Sequence, residues 1–241
     1  KSNFSATSLD QLPHHLVSWA MYGHQFLLPV PDIDHTRFML ILGANPLASN
    51  GSLMTVPDVT KRLKAIQQRG GRFVVIDPRR TETAAIADQH HFIRPGSDAF
   101  LLLAMIHSLF AEQLVTTGHL GKLLEGLEQV QSAVSPFTPE LAATQTGISA
   151  ELIRQLARDM ASTEGAVCYG RMGVSTQQYG TLCHWAIQVI NILTHSLDVR
   201  GGAMLTAPAF AYVKPGESGA GSFARWRSRV SGQPEFGGEL P

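Results

Sequence analysis

Cysteine is nearly absent from this chain. Cys168 and Cys183 are the only two in 241 residues, too few for a disulfide framework or for the ligand sets of zinc and iron–sulfur sites. Charge is scarce as well: 16% of residues are charged, against about 25% in an ordinary soluble domain. Nineteen Lys+Arg cancel nineteen Asp+Glu, so no overall field gathers nucleic acid or an anionic membrane surface, and neither is expected as a partner. Long hydrophobic runs are missing too. The most apolar stretches are broken by His107 and by His184, Gln188 and Asn191, short of the roughly 18–20 residues that span a bilayer. With 44% hydrophobic residues the chain has the material for a large core, which excludes general disorder. The cysteine usage points to a reducing, cytoplasmic compartment and leaves a periplasmic address open. A start at Lys1 and a punctuated end suggest an internal segment of something longer.

Short, continuously apolar runs alternate with helical patterns. Phe38–Leu42, Phe73–Ile76 and Ala166–Tyr169 read as strands buried on both faces, and His91–Arg94 as a shorter one. Between the first two, Val56–Gln68 carries Val59, Leu63 and Ile66 at helical spacing, with Pro57 at N1 and Gly70-Gly71 as a stop. Strand, helix and strand with short connections make a right-handed parallel βαβ unit. One helix is expected from Ser8 to Tyr22, another from an N-cap at Ser97 to about Phe110, and helical pieces throughout 118–163. A buried helix is expected over Thr181–Leu197, with His184 and His195 as core residues on one face. The pairs His14-His15 and His90-His91 read as polar loop or interface residues. The expected fold class is α/β: a Rossmann-like parallel sheet with helices on both faces, plus a helical segment and an irregular C-terminal tail. Its expected parts are a lead-in of residues 1–35 with one helix, an α/β nucleotide-binding domain over 36–205, and a linker or tail at 206–241.

Ligands of such sheets sit outside the carboxyl ends of the strands. The first loop there, Gly43-Ala44-Asn45-Pro46, lacks the GxGxxG fingerprint of nicotinamide and flavin folds, yet a glycine lets backbone approach a phosphate or sugar. The second, Asp77-Pro78-Arg79-Arg80, puts a carboxylate where dinucleotide folds hold ribose hydroxyls and two guanidiniums within reach of phosphate. An ordinary Asp-Pro turn is the plainer account of the same residues. The third, Gly96-Ser97-Asp98, opens a helix whose N-terminus suits an anion. A carboxylate at Asp98 matches the paired N–H donors on the Watson–Crick edge of guanine; alternatively it is a first-turn acid and nothing more. The fourth loop holds Met172, Thr176 and Gln177 between flexible glycines.

Taken together, LGANPLASNGSLM at 42–54, VVIDPRRTETAAIADQHHFIRPGSDAFLLLAMIHSLF at 74–110, and GRMGVSTQQYGT followed by NILTHSLDVRGGAM resemble the molybdopterin oxidoreductases of the dimethyl sulfoxide reductase and formate dehydrogenase family. The resemblance spans roughly residues 1–205. It implies a domain holding one guanosine half of a bis(molybdopterin guanine dinucleotide) that carries molybdenum or tungsten. By position it places Gly43, Ala44 and Asn45 along the phosphates, and Ile76, Asp77, Pro78, Arg79 and Arg80 at the ribose and neighbouring phosphate. It places Gly96, Ser97 and Asp98 on guanine and Met172 near the pterin. The family's usual Gln falls at Thr176, with Gln177 one place later, so the contact has two candidates. The family's metal-ligating side chain falls around 5–10, where Asp10 or Ser8 offers oxygen; each is equally an ordinary helix-start residue.

No catalytic residue is identified, and an iron–sulfur cluster is implied only for a region N-terminal to this chain. The implied function is that of the central guanine-nucleotide-binding domain of a molybdenum or tungsten oxidoreductase, without turnover of its own. Its implied partners are the other domains of the enzyme and an electron-transfer subunit. A non-catalytic scaffold subunit of the same fold is the rival, and a nicotinamide-dependent dehydrogenase is a weaker one because the glycine fingerprint is absent.

Overall fold

The computed structural model describes residues 6–206 and 223–240. The lead-in carries two helices, α1 (Thr7–Asp10) and α2 (Leu12–Tyr22), where one was expected. Pro13, in the first turn of α2, has no N–H for a helix continuing from α1, so the chain restarts at Gln11. Then come β1 (Val30–Pro31), β2 (Phe38–Leu42), α3 (Pro46–Ser49), α4 (Val59–Gln68), β3 (Arg72–Ile76), α5 (Glu82–Ile86), β4 (Gln89–His91) and α6 (Asp98–Ala111). The second half runs α7 (Leu127–Val134), α8 (Pro139–Thr146), α9 (Ala150–Ser162), β5 (Ala166–Gly170), α10 (Met172–Ser175), α11 (Gly180–Leu193), β6 (Ala203–Met204), β7 (Phe223–Arg227) and β8 (Pro234–Phe236).

Four strands form one parallel sheet in the order β4-β3-β2-β5. In register, Leu42 faces both Ile76 and Gly170, which aligns the carboxyl ends of β2, β3 and β5 in one row. Alternate residues feed two cores. Leu40, Leu42, Val74, Ile76 and Cys168 pack with α6, α9 and α11, while Met39, Ile41, Phe73, Val75 and Val167 pack with α4. A strand covered on both faces needs no polar residue, which is why β2 is apolar at every position.

The free edge of β5 is covered by side chains. Asn191 of α11 accepts from the Cys168 N–H (2.8 Å) and donates to the Cys168 carbonyl (2.9 Å), and His14 Nε2 lies 3.4 Å from the Gly170 carbonyl oxygen.

Several boundaries differ from expectation for local reasons. Helix α4 begins after Asp58, whose carboxylate accepts from Lys61 N–H, so Pro57 precedes the cap instead of occupying N1. Residues 118–163 divide into a short 3-10 turn and three helices, with Thr138 and Ser149 capping α8 and α9. Helix α11 stops at Leu193, and His195 lies beyond it at φ 53°. His195 therefore shares no helix face with His184 and sits against His119, ring centroids 5.8 Å apart. In the tail, β7 and β8 pair as an antiparallel hairpin that returns to the lead-in, where Trp19 meets Phe223 at 5.4 Å and Phe236 at 6.0 Å. No helix among the described residues is long and apolar enough to cross a membrane.

Candidate functional site

The first and fourth loops touch backbone to backbone at the carboxyl edge of the sheet. Gly43 leaves β2 at φ 52°; its N–H donates to the Ile76 carbonyl (3.1 Å) and its carbonyl accepts from Gly173 N–H (2.8 Å). A Cβ on Gly43 would lie 2.8 Å from Gly173 C, and one on Gly173 would lie 2.7 Å from Gly43 Cα. Only glycine opposite glycine permits that seam. Ala44 beside it is buried. Asn45 is committed elsewhere: its Nδ2 donates to Glu82 Oε2 (2.7 Å) and its Oδ1 accepts from the Thr83 N–H (3.2 Å) and hydroxyl (2.7 Å). Its side chain thus ties the first loop to α5.

Ile76 closes β3 as a buried residue, and Asp77 follows half-buried, its Oδ1 accepting from Arg79 N–H (2.8 Å). Burial raises the Asp77 carboxyl above its ordinary range, with the Arg79 N–H and guanidinium opposing. Pro78, Arg79 and Arg80 are exposed, and neither guanidinium joins an ion pair among the described residues.

Gly96 turns the third loop at φ 80° with open space around its Cα, so its conformation, not its size, is what the turn requires. Ser97 does not cap α6. At φ −104°, ψ 7° its backbone is outside the extended geometry of a capping residue, and its hydroxyl donates back to the Arg94 carbonyl (2.6 Å). Asp98 is 5% exposed, and its Oδ2 accepts from Gln177 Nε2 (2.9 Å). Burial raises its pKa and Asp77 adds to the rise, while the Gln177 hydrogen bond and its own backbone N–H oppose it.

Of the fourth-loop candidates, Met172 is exposed, and the Thr176 hydroxyl is spent on the Met172 carbonyl (2.9 Å). Gln177 is the one that reaches Asp98. Its Nε2 also donates to the Gly173 carbonyl (3.0 Å), while its Oε1 is buried with no hydrogen-bond partner among the described residues. The structure thus joins Asp98, Gln177, Gly173 and Gly43 in one chain of contacts.

Sequence reasoning missed the polar group beneath this rim. Arg171 is 6% exposed; its Nε donates to Ser52 Oγ (2.8 Å), its Nη2 to Asp10 Oδ1 (3.2 Å), and its Nη1 lies 3.5 Å from His14 Nε2. The His14 ring lies against that of His184, tilted by 37°, and His184 Nε2 pairs with the Ser175 hydroxyl (2.8 Å). Burial, with the charge of Arg171 behind it, pushes His14 down to about 3 and His184 well below the ordinary imidazole range. His14 and His15 are therefore interior residues of α2, not polar loop residues. The available signal was an arginine directly after an all-apolar strand, since a buried guanidinium must find acceptors. Asp10, a candidate oxygen ligand, thus faces Arg171, and no three His, Cys, Asp or Glu side chains gather as a metal set among the described residues. The side chain of Ser8 lies outside the described residues.

Residues 3–226 match the family model described as molybdopterin oxidoreductase. The chain belongs to the molybdopterin oxidoreductase family. It is 33% identical over 168 residues to formate dehydrogenase H of Escherichia coli K12, covering 70% of this chain and 23% of that protein. It is 32% identical over 197 residues to the thiosulfate reductase molybdopterin-containing subunit of Salmonella typhimurium, covering 80% and 25%. Its fold is similar to acetylene hydratase from Pelobacter acetylenicus, with a TM-score of 0.73 at 25% identity over 85% of this chain and 27% of that one. This molybdopterin oxidoreductase chain therefore spans about a quarter of the length of these relatives. Membership implies a molybdopterin cofactor carrying molybdenum or tungsten.

Proposed function

We propose that this chain is the central guanine-nucleotide-binding unit of a molybdopterin-dependent oxidoreductase and holds one guanosine half of bis(molybdopterin guanine dinucleotide). The observation that carries the proposal is Asp98, a buried carboxylate at a helix start on the rim where four loops converge, beside the orphaned carbonyl of Gln177. Buried polar groups left in such imbalance are what a ligand's N–H donors relieve.

Under this proposal guanine donates N1–H and N2–H to the Asp98 carboxylate, with Gly96 and Ser97 shaping the turn below it. Asp77 accepts from the ribose hydroxyls. Arg79 and Arg80, exposed and outside any ion pair among the described residues, fork on the neighbouring phosphate. The Gly43–Gly173 seam, whose two N–H groups are already bonded within the protein, holds the first and fourth loops together beside the phosphates, and Met172 lies towards the pterin. When bound, the metal and pterin supply the redox chemistry of the whole enzyme. The residues of this chain bind and orient the cofactor and turn over nothing alone. Other domains of the same enzyme and an electron-transfer subunit are the proposed partners. A cytoplasmic location is proposed from the two free cysteines.

The test is calorimetric titration of the intact protein, prepared without cofactor, with GMP and with AMP. A GMP preference of about tenfold or more, lost in Asp98→Ala, is expected. Equal affinities, or a preference that survives Asp98→Ala, would overturn the assignment.

A further inference from the structure

We propose that Gln177 determines the base preference of this site: its amide N–H fixes the Asp98 carboxylate as a pure hydrogen-bond acceptor, and so makes the site choose guanine over adenine. This rests on the guanosine reading of Asp98. The geometry is specific. The amide donates at once to Asp98 Oδ2 (2.9 Å) and the Gly173 carbonyl (3.0 Å), and two acceptors define which end of the amide is nitrogen. Its other end is left buried without a partner among the described residues, a penalty a solvated rotamer would not carry. What holds the side chain there is the pair of hydrogen bonds its N–H₂ makes.

The chemistry follows from the protonation state of one carboxyl group. An ionised carboxylate only accepts, and the Watson–Crick edge of guanine offers it two adjacent donors, N1–H and N2–H. A protonated carboxyl donates one hydrogen bond and accepts one, the complement of adenine with its N1 acceptor and N6 donor. Desolvation and the neighbouring Asp77 drive Asp98 towards its protonated form. Cys183 of α11 also faces it, but as a neutral thiol, pushed up to about 12 by burial and by Asp98. Apart from the backbone N–H of Asp98 itself, Gln177 is the group that opposes protonation. Gln177 thus decides which base the carboxyl group matches. It does so from a position tied through Gly173 to Gly43, where the phosphate end of the same nucleotide would lie.

The experiment measures Kd for GMP and AMP between pH 5 and pH 9 on the intact protein prepared without cofactor, comparing wild type with Gln177→Met, Gln177→Asn and Gln177→Lys. Met has similar length and no donor; Asn keeps the amide but falls short of Asp98; Lys restores a donor. Wild type should prefer GMP at neutral pH and lose the preference in acid. In Gln177→Met and Gln177→Asn that loss should begin at higher pH, with the neutral GMP/AMP ratio down about tenfold, and Gln177→Lys should recover it. The proposal is overturned if the Met and Asn variants keep the wild-type ratio and pH profile, or if they weaken both nucleotides equally at every pH; the guanosine reading then stands on Asp98→Ala alone. If wild type itself shows no GMP preference, or Asp98→Ala leaves one intact, the guanosine reading fails and Gln177 fails with it.

Discussion

The rings of His14 and His184 lie 3.5 Å apart, centroid to centroid, in the interior of the molecule, although one belongs to the lead-in helix and the other to the last long helix of the α/β unit. The contact makes the lead-in part of the rim rather than a strap passing it. It also places two imidazoles beside a guanidinium, and among the described residues the one carboxylate paired there is Asp10, with Arg171.

Acid should therefore loosen the structure. A histidine held below its unfolded pKa leaves stability intact above that value and removes it as pH falls through it. The unfolded chain takes protons near pH 6.5, whereas folded His14 waits until about 3 and His184 is likewise well below normal. Unfolding free energy should fall between pH 6.5 and pH 5 by about 1.4 kcal/mol per pH unit for each such histidine. Urea titrations at pH 7, 6 and 5 measure the slope, and His184→Gln should reduce it by one histidine's share. A flat profile over that interval would contradict the buried neutral pair.

Arg171 is expected to act on the same slope through its charge. Its charge helps to keep both imidazoles neutral, so Arg171→Gln should let them protonate at higher pH and shorten the acid-sensitive interval. The same change strips Asp10 of its partner, and since that carboxylate is partly exposed the cost at pH 7 should be about 1–3 kcal/mol. Titrating the histidines by NMR in the variant separates the two effects; unmoved imidazole resonances would rule out the electrostatic one.

Glycine replacements should sort by space. Gly43→Ala and Gly173→Ala place a methyl group 2.8 Å and 2.7 Å from opposing backbone atoms, and backbone cannot swing aside as a side chain can. Each should cost about 1–3 kcal/mol from crowding, with a further penalty at Gly43 for its φ of 52°. Gly96→Ala meets nothing within 4 Å and should cost only the left-handed conformation, about 1–2 kcal/mol. Thermal melts of the three variants should rank Gly96→Ala as the mildest. A Gly173→Ala variant melting like wild type would mean that the seam relaxes freely.

Much of the sheet was legible because β2, β3 and β5 are covered on both faces and so are written as unbroken apolar runs. The rule that ligands gather at strand carboxyl ends points to the loops at Gly43, Asp77, Asp98 and Met172, and the first, third and fourth of these do meet in the fold. Side-chain commitments were not legible. Nothing in the sequence says that Asn45 is spent on Glu82 and Thr83, or that Gln177, not Thr176, meets Asp98, because both depend on how separate loops dock. Ser97 was misread because capping is a property of backbone angles as much as of residue type. Arg171 and His14 stand 157 positions apart, a separation at which no local pattern relates them. The hairpin of β7 and β8 was hidden by a Gly/Pro/Ser-rich composition, and aromatic packing on Trp19 is what seats it.

The outer side of β5 carries a last consequence. Sheets lengthen when a bare strand offers its N–H and carbonyl groups to another chain. Here an amide from Asn191 answers Cys168 and an imidazole from His14 meets Gly170, so an incoming strand would find its place already taken. Any chain that packs against this side must then meet helices and loops, and here the number of strands is fixed from within.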